Sequence, residues 1–301
     1  MKLRLGTRES KLAMLQTELV AAAIHEKFPE IELEIIKFKT TGDKFLQQRL
    51  ETIGGKGLFV KEIEESMLAD RLDFAIHSAK DVPSFLPEGL DLIGALPRAE
   101  ARDVLISRYE SIAALPEGAV VGTSSPRREA ILHHLRPDLQ FCLFRGNVIT
   151  RLQQYDDGKY DAVILAKAGL DRLGITREDF HVLPIEQMLP ASGQGTITIE
   201  GRVGDEKNRI IEAITCEKTF QTMLCERSFL QELNGGCGDP MAAYAEIQTD
   251  VLGIETITVT GMLMKDGKLV QDDMVGARAE YATLGAKLAK ALRDGTSTAT
   301  E

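Results

Sequence analysis

At 301 residues the chain has room for two or three domains with cores of their own. Its 36 Lys and Arg stand against 46 Asp and Glu, so the broad basic surface that non-specific nucleic-acid binding needs is not expected. Hydrophobic content of 44% argues against disorder or fibre, and no stretch approaches the roughly 20 apolar residues that cross a bilayer.

The first two-thirds alternates strand-like and helix-like segments, the pattern of α/β domains with parallel sheets. Met1 leads almost directly into a strand over 3–7, with no signal-peptide apolar core, so a cytoplasmic protein is expected. Ser10 can cap a helix in which Leu12, Leu15, Leu19, Val20, Ala23 and Ile24 recur at helical spacing. Residues 31–40 are strand-like, and Gly54-Gly-Lys-Gly57 leads into an amphipathic helix over 58–68. A strand over 72–78 breaks at Lys80-Asp-Val-Pro83, because the residue before a proline is steered away from helix. A second set begins near 103–107 and continues through strands at 119–123, 139–144 and 160–166, each followed by a helix. Residues 195–200 are strand-like again and suited to rejoin the first sheet. A long helical region from 206 to 233 leads to the loop Asn234-Gly-Gly-Cys-Gly-Asp-Pro240. Strands over 255–265 and 269–275 flank an Asp266-Gly267 hairpin turn, and a helix over 279–292 precedes a frayed tail.

In open α/β sheets, ligands bind beyond the carboxyl ends of the strands, where helix N-termini also point. Those junctions hold Arg8 and Ser10; Lys80 and Asp81; Ser124, Ser125, Arg127 and Arg128; Arg145, Asn147 and Arg151; and Lys167 with Arg172. One arginine is ordinarily a solvated charge. A set at successive junctions of an acidic chain points to an anionic ligand, and separated arginines suit several carboxylates better than one phosphate. Ser125-Pro126 fits a cap and first helical position, so arginines and free amides would converge there on one anion. Asp81 reads as the one carboxylate among these cations, equally suited to a cap or salt bridge and to catalysis. His77 reads as a packed strand residue. The Gly54–Gly57 loop lacks the Gly-Lys-Ser/Thr ending of a phosphate loop and reads as a hinge or lid.

The spacing of Cys142, Cys216, Cys225 and Cys237 fits no zinc motif, and no metal is expected. Cys142 reads as a buried small hydrophobe, and Cys216 and Cys225 as opposite faces of one helix. Only Cys237 occupies a loop that could present sulfur to a ligand, though an unmodified thiol is the simpler reading of that residue alone.

Taken together, these segments resemble the porphobilinogen deaminase family. The matching runs are Gly6-Thr-Arg-Glu-Ser10, Gly54-Gly-Lys-Gly-Leu-Phe-Val-Lys-Glu62, His77-Ser-Ala-Lys-Asp-Val-Pro83, Ala101-Arg-Asp-Val-Leu105, Gly122-Thr-Ser-Ser-Pro-Arg-Arg128, Arg145-Gly-Asn-Val148 with Arg151, Ala168-Gly-Leu-Asp-Arg-Leu173 and Asn234-Gly-Gly-Cys237, in the family's order. The resemblance implies two α/β domains like periplasmic binding proteins around a cleft, covering 1–97 with 196–214, and 98–195. It implies a small α+β C-terminal domain over 215–301. It implies a transferase of porphyrin and heme biosynthesis, monomeric, bound to neither nucleic acid nor membrane. Such an enzyme condenses four porphobilinogen molecules onto a dipyrromethane cofactor, held by a thioether to Cys237, and hydrolyses off hydroxymethylbilane.

The family's aspartate maps to Asp81, oriented by Lys80. Cofactor-binding positions map to Arg8, Ser10, Lys80, Asp81, Ser124, Arg127, Arg128, Arg145, Arg151 and Arg172. Substrate positions map to Arg8, Ser10, Phe59, Arg145, Arg151, Arg172 and Gln194. The residue types suit the reaction, because porphobilinogen carries an acetate and a propionate and each addition enlarges a polycarboxylate. Loss of ammonia leaves a cationic pyrrole that a nearby carboxylate can steady. A mobile segment over 41–54 could cover the cleft. The chain departs from the family pattern at Gly238-Asp239, after the cysteine, and at Ser192, Thr196 and Gly201, which puts efficiency of cofactor loading in question. A rival reading is a solute-binding module that captures a small polyanion without chemistry; release of ammonia from porphobilinogen separates the two.

Overall fold

A computed structural model describes residues 1–39, 60–235 and 239–296. In chain order the first elements are β1 (Lys2–Arg8), α1 (Lys11–Lys27), β2 (Glu32–Phe38), α2 (Lys61–Leu68), β3 (Phe74–Ser78), a 3-10 turn at Ala79–Asp81, and β4 (Leu90–Ala95). There follow β5 (Asp103–Ile106), β6 (Val120–Gly122), α3 (Pro126–Leu135), β7 (Gln140–Cys142), α4 (Val148–Asp156), β8 (Ala162–Ala166), α5 (Lys167–Arg172) and β9 (Phe180–Val182). The chain ends with β10 (Ile197–Arg202), α6 (Asn208–Ile214), α7 (Glu217–Glu232), β11 (Ala242–Thr249), β12 (Glu255–Lys265), β13 (Lys268–Ala277) and α8 (Tyr281–Asp294).

The first sheet has the order β2-β1-β3-β10-β4, and the second β7-β6-β8-β5-β9. Each is mixed, where the alternation of elements had suggested parallel strands. β10 runs antiparallel to both β3 and β4, and β5 antiparallel to both β8 and β9. Leu3 and Leu5 of β1 pack with Val20 and Ile24 of α1, and Ile210, Ile211 and Ile214 of α6 join that core. On the other side Ile63 and Met67, one helical turn apart on α2, cover Leu72 and Ala75. The second sheet is buried on both faces in the same way, by one cluster around Leu105, Val121 and Ile164 and another around Val104, Phe144 and Val163. Strands covered on both sides explain the near-continuous apolar runs of β5 and β8.

The third sheet is the antiparallel β11-β12-β13. Asp266 and Gly267, with φ of 51° and 75°, make the two-residue turn between the paired Lys265 and Lys268. Phe229 of α7 and Leu284 and Leu288 of α8 cover its Ile257 and Val259.

Several expectations need correction. The helical region over 206–233 is two helices, because Thr215 and Cys216 are extended and Cys216 sits at the N-cap of α7. Cys216 therefore does not share a helix face system with Cys225, which is buried. Cys142 is exposed: β7 is an edge strand, with Gln140 and Cys142 outward and only Phe141 turned toward the core. β4, β9 and β11 were not anticipated. β9 is three residues long, β4 is bracketed by Pro87 and Pro97, and β11 opens on alanines with weak strand preference. The Gly54–Gly57 loop, the 41–54 segment and the start of the helix expected over 58–68 lie outside the described residues.

Candidate active site

The first group of predicted site residues gathers at the carboxyl ends of β1 and β3. Ser10 caps α1, its hydroxyl accepting a hydrogen bond from the Ala13 amide at 3.2 Å. Arg8 ends β1, and β3 delivers His77 and Ser78 just before the 3-10 turn that carries Lys80 and Asp81. Arg8, Ser10, Gln16, His77, Ser78 and Asp81 line one cavity of about 60 Å³.

Lys80 turns toward the crossover between the two large sheets. Its ammonium donates to Gln194 Oε1 at 3.2 Å. Burial, with Arg128 adding to it, pulls Lys80 down to about 8. Gln194 is a connector: its Nε2 donates to the Ala101 carbonyl at 2.6 Å and to Asp103 Oδ1 at 2.9 Å. The glycines beside it are required. Gly193 has a φ of +75°, and a Cβ there would stand 2.8 Å from Ala79 Cβ and 3.2 Å from the Lys80 amide nitrogen. At Gly195, φ +87°, a Cβ would meet the Ala99 carbonyl oxygen at 2.6 Å.

The arginines of the second sheet divide into two kinds. Arg127 and Arg128, in the first turn of α3, are buried against Asp103. Arg127 Nη2 donates to Oδ2 at 2.8 Å, and Arg128 Nη2 donates to Oδ1 at 2.7 Å. Their other donors reach the carbonyls of Leu189, at 2.5 Å, and Ile164, at 2.9 Å. Burial alone would push Asp103 up, but the two guanidiniums outweigh it and hold the carboxyl well below the usual range. Thus the anion on which these two arginines converge is internal, and Asp81 is not the one carboxylate among the cations. Ser124 is likewise committed: its hydroxyl donates to the Phe144 carbonyl and accepts from the Phe144 amide, both at 2.9 Å.

Arg145, Arg151 and Arg172 differ. None of them has a carboxylate within ion-pair distance among the described residues. Asn147 caps α4 by accepting from the Thr150 amide at 2.9 Å, which sets Arg151 in its first turn. There the Arg151 guanidinium lies 5.5 Å from the Phe144 ring centre, with Nε buried and unbonded. Burial, reinforced by Arg128 and Arg145, lowers Arg151 to about 10, while the field of Asp81 acts the other way. Burial also lowers Arg145 and Arg172, and among the described residues Arg172 donates only to the Gly195 carbonyl, at 2.7 Å. Desolvated cations without a counter-anion are costly, and a polycarboxylate would relieve them. That donor set fits a dipyrromethane bearing acetate and propionate groups.

The base of the cysteine loop is fastened to the segment after Asp81. Ser84 donates its hydroxyl to the Gly235 carbonyl. Arg227 of α7 donates to the carbonyls of Pro83, at 2.7 Å, and Ser84, at 3.2 Å, and Gln231 also reaches Ser84, at 2.8 Å. Next to Arg227 on the same helix, the fully buried Glu226 accepts from Arg98, at 2.5 Å, and from the amides of Gly193, at 2.5 Å, and Ala245, at 2.9 Å. Helix α7 thereby ties the third sheet to both the aspartate turn and the crossover. Cys237 and Phe59 lie outside the described residues. Asp103, Arg98 and Glu226 were missed by the sequence reading. A lone acid inside an otherwise apolar strand or helix face was the available signal, since buried charges need partners.

Comparison with known proteins gives a consistent result. The family described as "Porphobilinogen deaminase, dipyromethane cofactor binding domain" matches residues 3–210, and "Porphobilinogen deaminase, C-terminal domain" matches 220–294. The chain is 44% identical to the porphobilinogen deaminase of Geobacter metallireducens, over 98% of this chain and 92% of that one. It is 43% identical to that of Geobacter sulfurreducens over the same shares. It is 42% identical to that of Alkaliphilus metalliredigens, over 96% and 92%. Among solved structures, the periplasmic aliphatic sulphonate binding protein SsuA from Escherichia coli matches at a TM-score of 0.42 and 15% identity, covering 77% of this chain and 70% of that one.

Proposed function

The chain belongs to the porphobilinogen deaminase family, and we propose that the Asp81 cavity and the desolvated arginines are where it carries out that family's reaction. It is a transferase that condenses four porphobilinogen molecules head to tail, releases ammonia and hydrolyses off the linear hydroxymethylbilane. Its dipyrromethane cofactor, when bound, supplies the primer to which the pyrroles are joined.

In this reading Asp81 steadies the positive charge that grows on the substrate pyrrole as ammonia departs, and helps move protons there. Lys80, held by Gln194, orients the turn that carries it. Arg8, Ser10, Arg145, Arg151 and Arg172 grip the acetate and propionate groups of substrate and cofactor, with Phe59 and Gln194 on the substrate side. Ser124, Arg127 and Arg128 serve the cofactor, the two arginines with much of their charge offset by Asp103. Cys237 anchors the cofactor through a thioether and need not be a strong nucleophile. The observation that carries this reading is the pairing of Asp81, Arg8 and Ser10 around one cavity with three half-buried arginines that have no carboxylate at ion-pair distance among the described residues. The division into units over 1–97 with 196–214, 98–195 and 215–301 accords with three separate sheets, the first completed by β10. We read it further as a monomeric cytoplasmic enzyme that binds neither nucleic acid nor membrane; its net charge of -10 disfavours non-specific binding to nucleic acid.

The intact mass of the purified protein tests the reading. An adduct the size of two porphobilinogen-derived units, together with one ammonia released per porphobilinogen consumed, is expected. Bare polypeptide that binds porphobilinogen without releasing ammonia would establish the solute-binding alternative instead.

A further inference from the structure

The crossover over 192–196 returns the chain from the second sheet to β10 and touches three parts of the site. The Gln194 side chain meets Lys80 at 3.2 Å and Asp103, which clamps Arg127 and Arg128, at 2.9 Å. The Gly195 carbonyl accepts from Arg172 at 2.7 Å. What fixes this loop lies away from the Asp81 cavity. Glu226 of α7 accepts from the Gly193 amide and from Arg98 Nη1, each at 2.5 Å. Arg98 Nε in turn donates to the Gln194 carbonyl at 2.9 Å. These bonds close a ring that runs from Glu226 through Gly193, Gln194 and Arg98 and back.

The ring is seated on the third sheet. Glu226 Oε1 also accepts from the Ala245 amide of β11 at 2.9 Å, and Ser192 Oγ from the Ala243 amide at 3.1 Å. β11 is an edge strand, and these two amides find their acceptors in α7 and the crossover instead of in a neighbouring strand. The Arg98 guanidinium lies 4.7 Å from the ring centre of the intervening Tyr244. Glu226 is fully buried, and apolar side chains of similar volume would stabilise such a contact as well as an ion pair does. What the pair supplies in their place is a fixed geometry.

We propose that Glu226 and Arg98 are positioning residues for the reaction, transmitting the seating of the third sheet through the Gly193–Gln194 backbone to the Gln194 carboxamide and so to Lys80. The proposal rests on the deaminase reading. Gln194 commits its carboxamide to Lys80, the Ala101 carbonyl and Asp103 at once, so a shift of its backbone must weaken at least one of the three bonds. Arg227, the next residue of α7, donates to the carbonyls of Pro83 and Ser84. One helix therefore holds the Lys80–Asp81 turn from both sides.

A double-mutant cycle on cofactor-loaded enzyme, with loading counted by intact mass, tests the transmission. Arg98→Lys keeps a positive charge against Glu226 and should fold, but it lacks the fork that reaches Glu226 and the Gln194 carbonyl together. Arg98→Lys and Gln194→Ala should each lower kcat about 10-fold, and the double variant should be no slower than the slower single. Glu226→Gln sets an amide donor against the Gly193 or the Ala245 amide and should repeat the pattern with Gln194→Ala. Losses that multiply to about 100-fold in the double variant would overturn the proposal alone. So would an Arg98→Lys enzyme that keeps the wild-type kcat, whatever its melting temperature. A wild type that consumes no porphobilinogen would overturn the deaminase reading, and the proposal with it.

Discussion

Arg127 and Arg128 occupy one strand-to-helix junction of the second sheet, and Arg145 and Arg151 the next, yet the two pairs live in opposite electrostatic conditions. The first pair is clamped on Asp103 and spends its donors inside the protein. The second faces no carboxylate at ion-pair distance among the described residues; burial lowers both of its members, and repulsion from Arg128 and Arg145 lowers Arg151 further. Similar sequence patterns thus serve two purposes. A neutralised pair is tied down inside the protein, and in the proposed reading the uncompensated pair is the one left to hold the ligand's carboxylates.

Removing Asp103 should produce the largest effect on stability. Asp103→Ala leaves two buried guanidiniums unpaired and should cost roughly 3–5 kcal/mol in chemical denaturation. Because the folded carboxyl is depressed, its contribution is fully present above the unfolded value of about 3.9 and is lost as pH falls toward and through the folded value. The stability gap between wild type and variant should therefore narrow in acid. A gap that stays small at neutral pH would erase the distinction between the two arginine pairs.

Arg151→Ala should do the reverse. Relief of desolvation offsets the lost contact with Phe144, so stability should change by less than about 1 kcal/mol. The loss of one charge-assisted contact should raise KM for porphobilinogen roughly 10- to 100-fold. A variant that is badly destabilised but binds normally would move Arg151 into the structural class.

The smallest expected effect separates strain from contact at glycines. Gly174, φ +66° with open space around it, should accept alanine for about 1 kcal/mol and keep its activity. Gly193→Ala adds a clash with Ala79 and the Lys80 backbone, so it should cost a further ~1–3 kcal/mol and lower kcat by displacing the aspartate turn. Equal activities in the two variants would show that the crossover does not hold Lys80.

Much of this was legible in the sequence, because alternating apolar segments fix strands and helices and because arginines at junctions are visible as such. Which arginines are paired was not. Asp103 opens β5, and in a parallel sheet it would lie far from the α3 arginines. β5 is antiparallel to β8, so Asp103 sits opposite Ala166, at the end where the junction arginines cluster. The same reversal in β10 sets Thr198 opposite His77 and brings Glu200 within reach of its ring. Strand direction is a long-range property that local spacing does not encode. Likewise nothing near Glu226 announces that its partners come from residues 98, 193 and 245.

The central claim, that Asp81 acts on a substrate cation inside a cationic enclosure, is tested most directly by ammonia release from Asp81→Ala protein whose intact mass still shows the adduct. Turnover should fall at least about 100-fold relative to wild type. Near-normal release by a loaded Asp81→Ala enzyme would contradict it.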